Sequence, residues 1–432
     1  MPRAVVITYG CQMNEADSAE IKRLLLEKGF DVSGEATNCD LILLNTCSVR
    51  RRAEMKVFGK LGHLKALKRE RPDLTIGVLG CMGASSREEI ERQAPFVDFV
   101  LPPHQFEALS EMLDQRFPRE GSILKEADGT AGIDLEPNDC PFKAFVNISR
   151  GCSNRCSFCI VPLVRGPQTC LPYEKIRAAV ASCERRGVVE VCLLGQNVNA
   201  YHLDGREFAD ILEGLAREFP RIRFRFTSPH PKDFSERVVD VIAGWPNIAR
   251  HVHLPLQSGS DRILKSMNRG YDVRRFTSLV DLLRRRIPDV ALTTDLICGF
   301  PGETEIDFQE TLRVVREVGF DQAFTFYYSP RQGTAAATYP DQLPESVRKE
   351  RLRRLIDTQL SLSRERAQAL VGRTFEVLVE RVARRPVGGL VGRTGSNRLV
   401  IFSGSANLVG SHQLVKIVSG DSVTLFGDLV EA

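Results

Sequence analysis

Three cysteines stand close together in Arg150-Gly151-Cys152-Ser153-Asn154-Arg155-Cys156-Ser157-Phe158-Cys159, with three residues between the first pair and two between the second. Thiolates are the ligands of iron-sulfur clusters, ordinarily four to a cluster. A tight group of three leaves one iron of a four-iron cluster without a protein ligand, and an open iron is where a small molecule can be bound and broken. The competing chemistry is a zinc knuckle, which closes its tetrahedron with a fourth Cys or His. No His lies within the motif or close behind it.

The elements that must carry this chemistry reveal a second group of thiols. Residues 1–118 alternate short apolar runs (Ala4 to Thr8, Leu41 to Leu44, Thr75 to Leu79, Phe96 to Leu101) with helical patterns. That is a βαβ series, and it predicts a small doubly wound parallel sheet. Cys11 follows the first strand in Tyr9-Gly10-Cys11-Gln12-Met13-Asn14, Cys47 the second in Asn45-Thr46-Cys47, and Cys81 the third in Leu79-Gly80-Cys81-Met82. Carboxyl ends of parallel strands share the edge where open α/β folds bind ligands. Three thiols remote in sequence are thus expected to converge as a second cluster site, whereas one strand-end Cys alone would be an apolar filler.

The Gly- and Asp-rich stretch in 119–143 reads as a linker. A longer βα series fills 144–345, with strands at Ala144 to Ile148, Glu190 to Leu194, Arg223 to Thr227, His251 to Leu254, Ala291 to Leu296 and Gln322 to Phe326. Six units predict an incomplete parallel (β/α)6 barrel whose active face lies at the strand C-termini. Polar residues fall at that end: Gln196 and Asn197 after the second strand, Ser228 after the third and Gln257 after the fourth. They are expected to line a cofactor site.

Residues 346–370 form a basic helical pattern. Residues 371–432 shorten into alternating strands at Phe375 to Arg381, Leu399 to Phe402, Leu414 to Ser419 and Ser422 to Asp428, which predicts a small OB-like β-barrel. From Ser346 to Ala432 there are 14 Lys and Arg against 8 Asp and Glu, while the rest of the chain is slightly acidic. Such a basic module on a near-neutral body is suited to a polyanion, with Arg381, Arg384, Arg385, Arg393 and Arg398 as phosphate contacts. A structural cap on the barrel is the alternative.

Length and composition agree with a multi-domain globular chain: 432 residues, 43% hydrophobic and 26% charged. Twelve cysteines behind an N-terminus that runs straight into a strand point to a cytoplasmic protein that uses thiols for metal rather than for disulfides. No stretch is long and apolar enough to predict a membrane span. Cys183 and Cys192 are read as core thiols and Cys298 as a loop packer, and none of these, nor Cys39, Cys140 or Cys170, is assigned to a cluster. His230, His251 and His253 are read as structural or substrate-lining.

Together these motifs resemble the radical S-adenosylmethionine (SAM) methylthiotransferases over nearly the whole chain. Thr8-Tyr9-Gly10-Cys11-Gln12-Met13-Asn14, Leu254-Pro255-Leu256-Gln257-Ser258-Gly259-Ser260 and Cys298-Gly299-Phe300-Pro301-Gly302-Glu303-Thr304 are similar to the branch that acts on isopentenylated tRNA. Branches acting on threonylcarbamoyl-adenosine tRNA or on a ribosomal-protein aspartate carry other residues after the first cysteine. The segment Pro162-Leu163-Val164-Arg165-Gly166-Pro167-Gln168-Thr169-Cys170 departs from the tRNA branch, lacking its aromatic after the proline and its further arginines past the glycine.

The resemblance implies two [4Fe-4S] clusters. One, on Cys152, Cys156 and Cys159, makes an adenosyl radical from SAM, and an auxiliary one, on Cys11, Cys47 and Cys81, takes part in sulfur transfer. SAM would serve as radical source and methyl donor, and the target would be carbon 2 of N6-isopentenyladenosine 37 in a tRNA anticodon loop. The C-terminal module is similar to a TRAM domain. An electron-donor protein and a sulfur donor are implied. A radical SAM methylase would leave the strand-end triad unexplained, and a zinc-containing RNA-binding protein would be colourless.

Overall fold

The computed structural model describes residues 1–32, 38–48, 51–118, 141–385 and 388–430. Most of the expected linker, 119–140, and Cys140 with it, lies outside the described residues.

At the N-terminal end, β1 (Ala4–Thr8), β2 (Leu41–Thr46), β3 (Thr75–Gly80) and β4 (Phe99–Leu101) form one parallel sheet in the order β1-β2-β3-β4. β2 and β3 are buried along their whole length because helices cover both faces. α1 (Gln12–Glu27) and α5 (Phe106–Arg116) bury Ile21, Leu25, Leu109 and Leu113 on one side. α2 (Arg51–Glu70), α3 (Cys81–Ser85) and α4 (Arg87–Gln93) bury Val57, Leu61, Leu64, Met82 and Ile90 on the other.

The central body is a half-open parallel barrel. β5 (Lys143–Asn147), β8 (Glu190–Leu194) and β11 (Arg223–Phe226) make one three-stranded sheet. β12 (His251–His253), β13 (Ala291–Cys298) and β14 (Gln322–Tyr327) make another, and the Phe224–Ile248 bridge joins the two. Two short antiparallel pairs decorate it, β6 (Ser149–Arg150) with β7 (Thr169–Cys170) and β9 (His202–Leu203) with β10 (Arg206–Glu207). After α6 (Val161–Arg165) come α7 (Tyr173–Arg185), α8 (Phe208–Glu218), α9 (Glu236–Gly244), α10 (Asp261–Ser266), α11 (Val273–Arg286) and α12 (Glu305–Val318). Alternation assigns the faces. Val252, Leu292, Leu296 and Cys298 point to the helices and join the main core, whereas His253, Asp295, Phe324 and Phe326 belong to the opposite, inner face.

α13 (Glu345–Gln368) leads to a closed five-stranded barrel of β15 (Thr374–Val382), β16 (Gly389–Thr394), β17 (Leu399–Ser403), β18 (His412–Gly420) and β19 (Thr424–Leu429). The sequence pattern accounts for four of these. β16, Gly389-Leu390-Val391-Gly392-Arg393-Thr394, escapes it because two glycines dilute the alternation and the strand is buried on both faces.

This small barrel docks on the N-terminal ends of the large barrel's strands. Glu190, at the start of β8, takes Lys143 at 3.0 Å and Arg225 at 2.8 Å. Arg225 also donates to the Thr394 and Gly395 carbonyls, and Arg223 and Lys143 pair with Glu376 and Glu380. Arg398 is buried, with its guanidinium 2.5 Å from Asp321 just before β14. That corrects one expectation: Arg398 is not an exposed phosphate contact but a bolt between domains.

Candidate active site

The opposite rim carries the chemistry. The loop holding Cys152, Cys156 and Cys159 is pinned by the β6–β7 pair at its neck, by Cys152 N–H donating to the Gly166 carbonyl (3.1 Å), and by Ser157, which donates through N–H to Met267 O and through Oγ to Ser266 O. Gly151 sits at φ +73°, and a Cβ there would stand 2.1 Å from the Pro167 carbonyl, so only glycine permits this neck. The three thiols feel one another. Burial first, then Cys156 and Cys152, push Cys159 up to about 12, and burial raises Cys152 as well. Arg269, buried, donates from Nη1 to Cys156 Sγ at 3.2 Å and is steadied by Tyr271 OH at 3.2 Å.

The strand-end cysteines also come together. A Cβ placed on Gly10 would lie 2.8 Å from Cys47 Cβ, so the loop bearing Cys11 runs directly against Cys47. The Cys47 thiol hydrogen-bonds to Cys11 and lowers its pKa to about 6, against burial that raises it, with help from backbone at Asn14, the charge of Arg165 and backbone at Met13. Cys81 opens α3 and is raised by burial, while Arg165 donates a hydrogen bond to it. It packs on Ile160 and Val164, residues that directly follow the first triad. The two triads therefore share one seam.

Among the described residues no group of three His, Cys, Asp or Glu side chains is already drawn around one metal-sized point, so the fit of a cluster rests on donor chemistry and loop geometry. Both triads offer thiols alone, each with an arginine on one sulfur. Soft, cation-compensated donor sets of this kind suit iron-sulfur clusters.

Around the same rim, buried polar atoms lack a hydrogen-bond partner among the described residues: Asn147 Oδ1, Ser149 Oγ, Asn154 Nδ2, both amide atoms of Gln196, Asn197 Oδ1, His230 Nε2, Gln257 Oε1 and Tyr328 OH. Each such atom costs about 1–3 kcal/mol, and their concentration at the ends of the barrel strands marks a ligand site. Ser228 and Gln257 add left-handed backbones, φ +58° and +67°, a strain that clusters at binding sites. Of the four expected lining residues, Gln196, Asn197 and Gln257 thus present free polar atoms. Asn197 is also held by Asp233 at 2.7 Å, and Ser228 contributes a strained, exposed position.

Sequence reasoning missed Ser149, Asn154, Tyr328, Arg165 and Arg269. Only the first two had a signal, adjacency to the cysteine motif. Burial lowers His230 to about 2, followed by Arg269 and Lys232, so it is neutral; its Nδ1 accepts from Lys232 N–H at 3.2 Å, which leaves the proton on Nε2, free to donate. Cys192, expected as a core thiol, lies on the inner face of β8 beside Phe145 and packs in a small apolar cluster with Met13 and Cys11. Cys183 is a core thiol as expected, and Cys39 is also buried in a core; Cys298, expected to pack in a loop, is instead the last residue of β13 and points into the main core.

A half-open parallel barrel with an open three-thiol loop on its C-terminal rim defines a radical SAM enzyme, a class that uses a [4Fe-4S] cluster and SAM. The Radical SAM superfamily model matches residues 146–315, the model described as Uncharacterized protein family UPF0004 matches residues 3–102, and the TRAM domain matches residues 368–430. The tRNA-2-methylthio-N(6)-dimethylallyladenosine synthase of Chlorobium phaeovibrioides is 44% identical over 426 residues, covering 97% of this chain and 95% of that protein. The corresponding synthase of Moorella thermoacetica is 43% identical over 434 residues, covering 99% and 98%. This chain belongs to the tRNA-2-methylthio-N(6)-dimethylallyladenosine synthase family. Among solved structures, the radical SAM methyltransferase TsrM of Kitasatospora setae aligns over 78% of this chain and 77% of that one with TM-score 0.55 at 13% identity, a likeness of fold alone.

Proposed function

We propose that this chain methylthiolates carbon 2 of N6-isopentenyladenosine at position 37 of tRNA, in the cytoplasm, with SAM as radical source and methyl donor. The observation that carries the reading is the shared seam: two all-thiol triads, one on the barrel and one on the strand ends of the N-terminal sheet, meet over one rim. When bound, a cluster on Cys152, Cys156 and Cys159 supplies reductive cleavage of SAM, and a second on Cys11, Cys47 and Cys81 supplies the sulfur. Electrons and replacement sulfur come from separate donor proteins.

The chain's own residues hold, orient and shield. Gln196, Asn197, Gln257 and Ser149 offer donors and acceptors to SAM at the rim. Below them the inner face presents His253, paired with Asp295 at 3.3 Å and with Thr293 Oγ1 at 3.0 Å, and the aromatic rings of Phe324 and Phe326. Phe324 is 51% and Phe326 37% exposed, unlike the paired polar groups beside them. They are apolar surface available to an isopentenyl group, at about 25 cal/mol per Å² covered. An anticodon-loop base can be splayed into such a chamber at modest cost.

Phosphate contact falls to Arg381, Arg384 and Arg385, which are exposed near the tip of the β15–β16 hairpin. Arg393 serves less, since it is half-buried and held by Asn397 O and Glu380.

Anaerobic incubation of the reconstituted protein with SAM, a reductant and tRNA bearing isopentenyladenosine, followed by nucleoside mass spectrometry, tests the reading. A methylthio product on the isopentenyl substrate and little on unmodified adenosine is expected; equal turnover of both, or product only on a protein aspartate, would refute it.

A further inference from the structure

Arg165 belongs to the barrel by sequence, as the last residue of α6, yet its side chain ends inside the N-terminal domain. It is 3% exposed. Nη2 lies 2.7 Å from Asp17 Oδ2 on α1, Nη1 lies 3.1 Å from His104 Nε2 in the loop after β4, and the guanidinium also donates to the Cys81 thiol. His104 is uncharged, since burial lowers it to about 4, so its Nε2 accepts from Arg165 while Nδ1 faces Asp17 Oδ1 at 3.7 Å. One buried cation and one buried anion thus flank a single sulfur.

The other triad is built differently. Arg269 donates to Cys156 and leans on a tyrosine hydroxyl, and among the described residues no carboxylate pairs with it. The cation on the strand-end triad is half-cancelled by Asp17, which acts on Cys81 in the opposite sense to Arg165.

Hydrogen bonds to sulfur and local charge set the reduction potential of an iron-sulfur cluster. We propose that Arg165 is a positioning residue that favours the electron-rich state of the strand-end cluster, with Asp17 opposing it, so that this ion pair sets the potential of that cluster independently of the barrel cluster. The inference rests on the reading that Cys11, Cys47 and Cys81 hold a cluster. The event concerned is uptake of one electron from a mediator, with no bond made or broken.

The test uses the full chain with Cys152, Cys156 and Cys159 all changed to Ala, reconstituted with iron and sulfide, and titrated potentiometrically with paramagnetic resonance as the readout. Arg165→Gln should make reduction at least tenfold less favourable, about 59 mV for one electron. Asp17→Asn should move the potential the opposite way, and Arg165→Lys should fall between Gln and the parent. In the converse background, with Cys11, Cys47 and Cys81 changed to Ala, the same substitutions should shift the equilibrium less than threefold. Shifts of one sign for Arg165→Gln and Asp17→Asn, no shift in either, or equal shifts in both backgrounds would overturn the proposal. Should Arg165→Gln take up no iron, Arg165→Lys and Asp17→Asn carry the test, because their signs differ. A parent variant without iron would sink the two-cluster reading and the proposal with it; an iron-loaded parent insensitive to the ion pair would sink the proposal alone.

Discussion

The two ends of the central barrel are made from the same six strands and treat polar groups in opposite ways. At the N-terminal end Glu190, Lys143, Arg223, Arg225, Asp321 and Arg398 are bound to one another or to the small barrel, with only Arg223 Nη1 left without a hydrogen bond among the described residues of this group. At the C-terminal end amides, hydroxyls and an imidazole bury atoms that have no hydrogen-bond partner among the described residues. Saturation holds domains together; unsaturation waits for a ligand. The contrast shows which end of a symmetric scaffold was built to be completed from outside.

If that contrast is right, substitutions at the two ends fail in different ways. The largest effect belongs to the thiols. Cys156→Ala should abolish formation of 5'-deoxyadenosine, whereas Cys47→Ala should retain it and lose only the methylthiolated nucleoside; product analysis by mass spectrometry separates the two, and equal loss of both activities in folded Cys47→Ala would erase the distinction.

Next comes the saturated end. Arg225→Ala leaves Glu190 with Lys143 as its main partner and takes the donors from the Thr394 and Gly395 carbonyls; it should cost about 3 kcal/mol in denaturant unfolding, with deoxyadenosine formation per folded molecule unchanged. The same site has a pH signature. Burial raises the Glu190 pKa, but Arg225 and Lys143 outweigh it and leave it at about 2, against an ordinary value of 4.5. The contribution is therefore complete above pH 4.5 and is lost as pH falls through about 2, worth about 3 kcal/mol over that window. Glu190→Gln should flatten this acid limb, which unfolding titrations will show.

A smaller effect, of reversed sign, is expected at the open end. Gln196→Leu should raise the KM for SAM roughly tenfold, yet leave stability unchanged or improved by up to about 1 kcal/mol, since it removes an orphaned amide. Smallest of all, Arg384→Ala and Arg385→Ala should leave stability within about 0.5 kcal/mol and lower the salt slope of tRNA binding by about one unit each.

The sequence was most legible where one element speaks for itself. Strands such as Ala4–Thr8 and Glu190–Leu194 emerge with their observed bounds, because apolar runs between helical periods are a local signal. The convergence of Cys11, Cys47 and Cys81 was legible as well, since parallel strands deliver their ends to one edge. What stayed hidden needs a partner far along the chain. Arg398 looked like free positive charge until Asp321, remote in sequence, claimed it. Arg165 and Arg269 carried no pattern at all, because a cation's job is set by whichever sulfur the fold brings to it. Cys192 sat in an apolar run, and only strand pairing shows which way it points.

The edges of the large barrel have one more consequence. Among the described residues no strand pairing joins β14 back to β5, the N-terminal domain sits over one end, and the small barrel closes the other. Among the described residues β14 is therefore an edge strand of the large barrel, and Phe324 and Phe326 stand on its inner face.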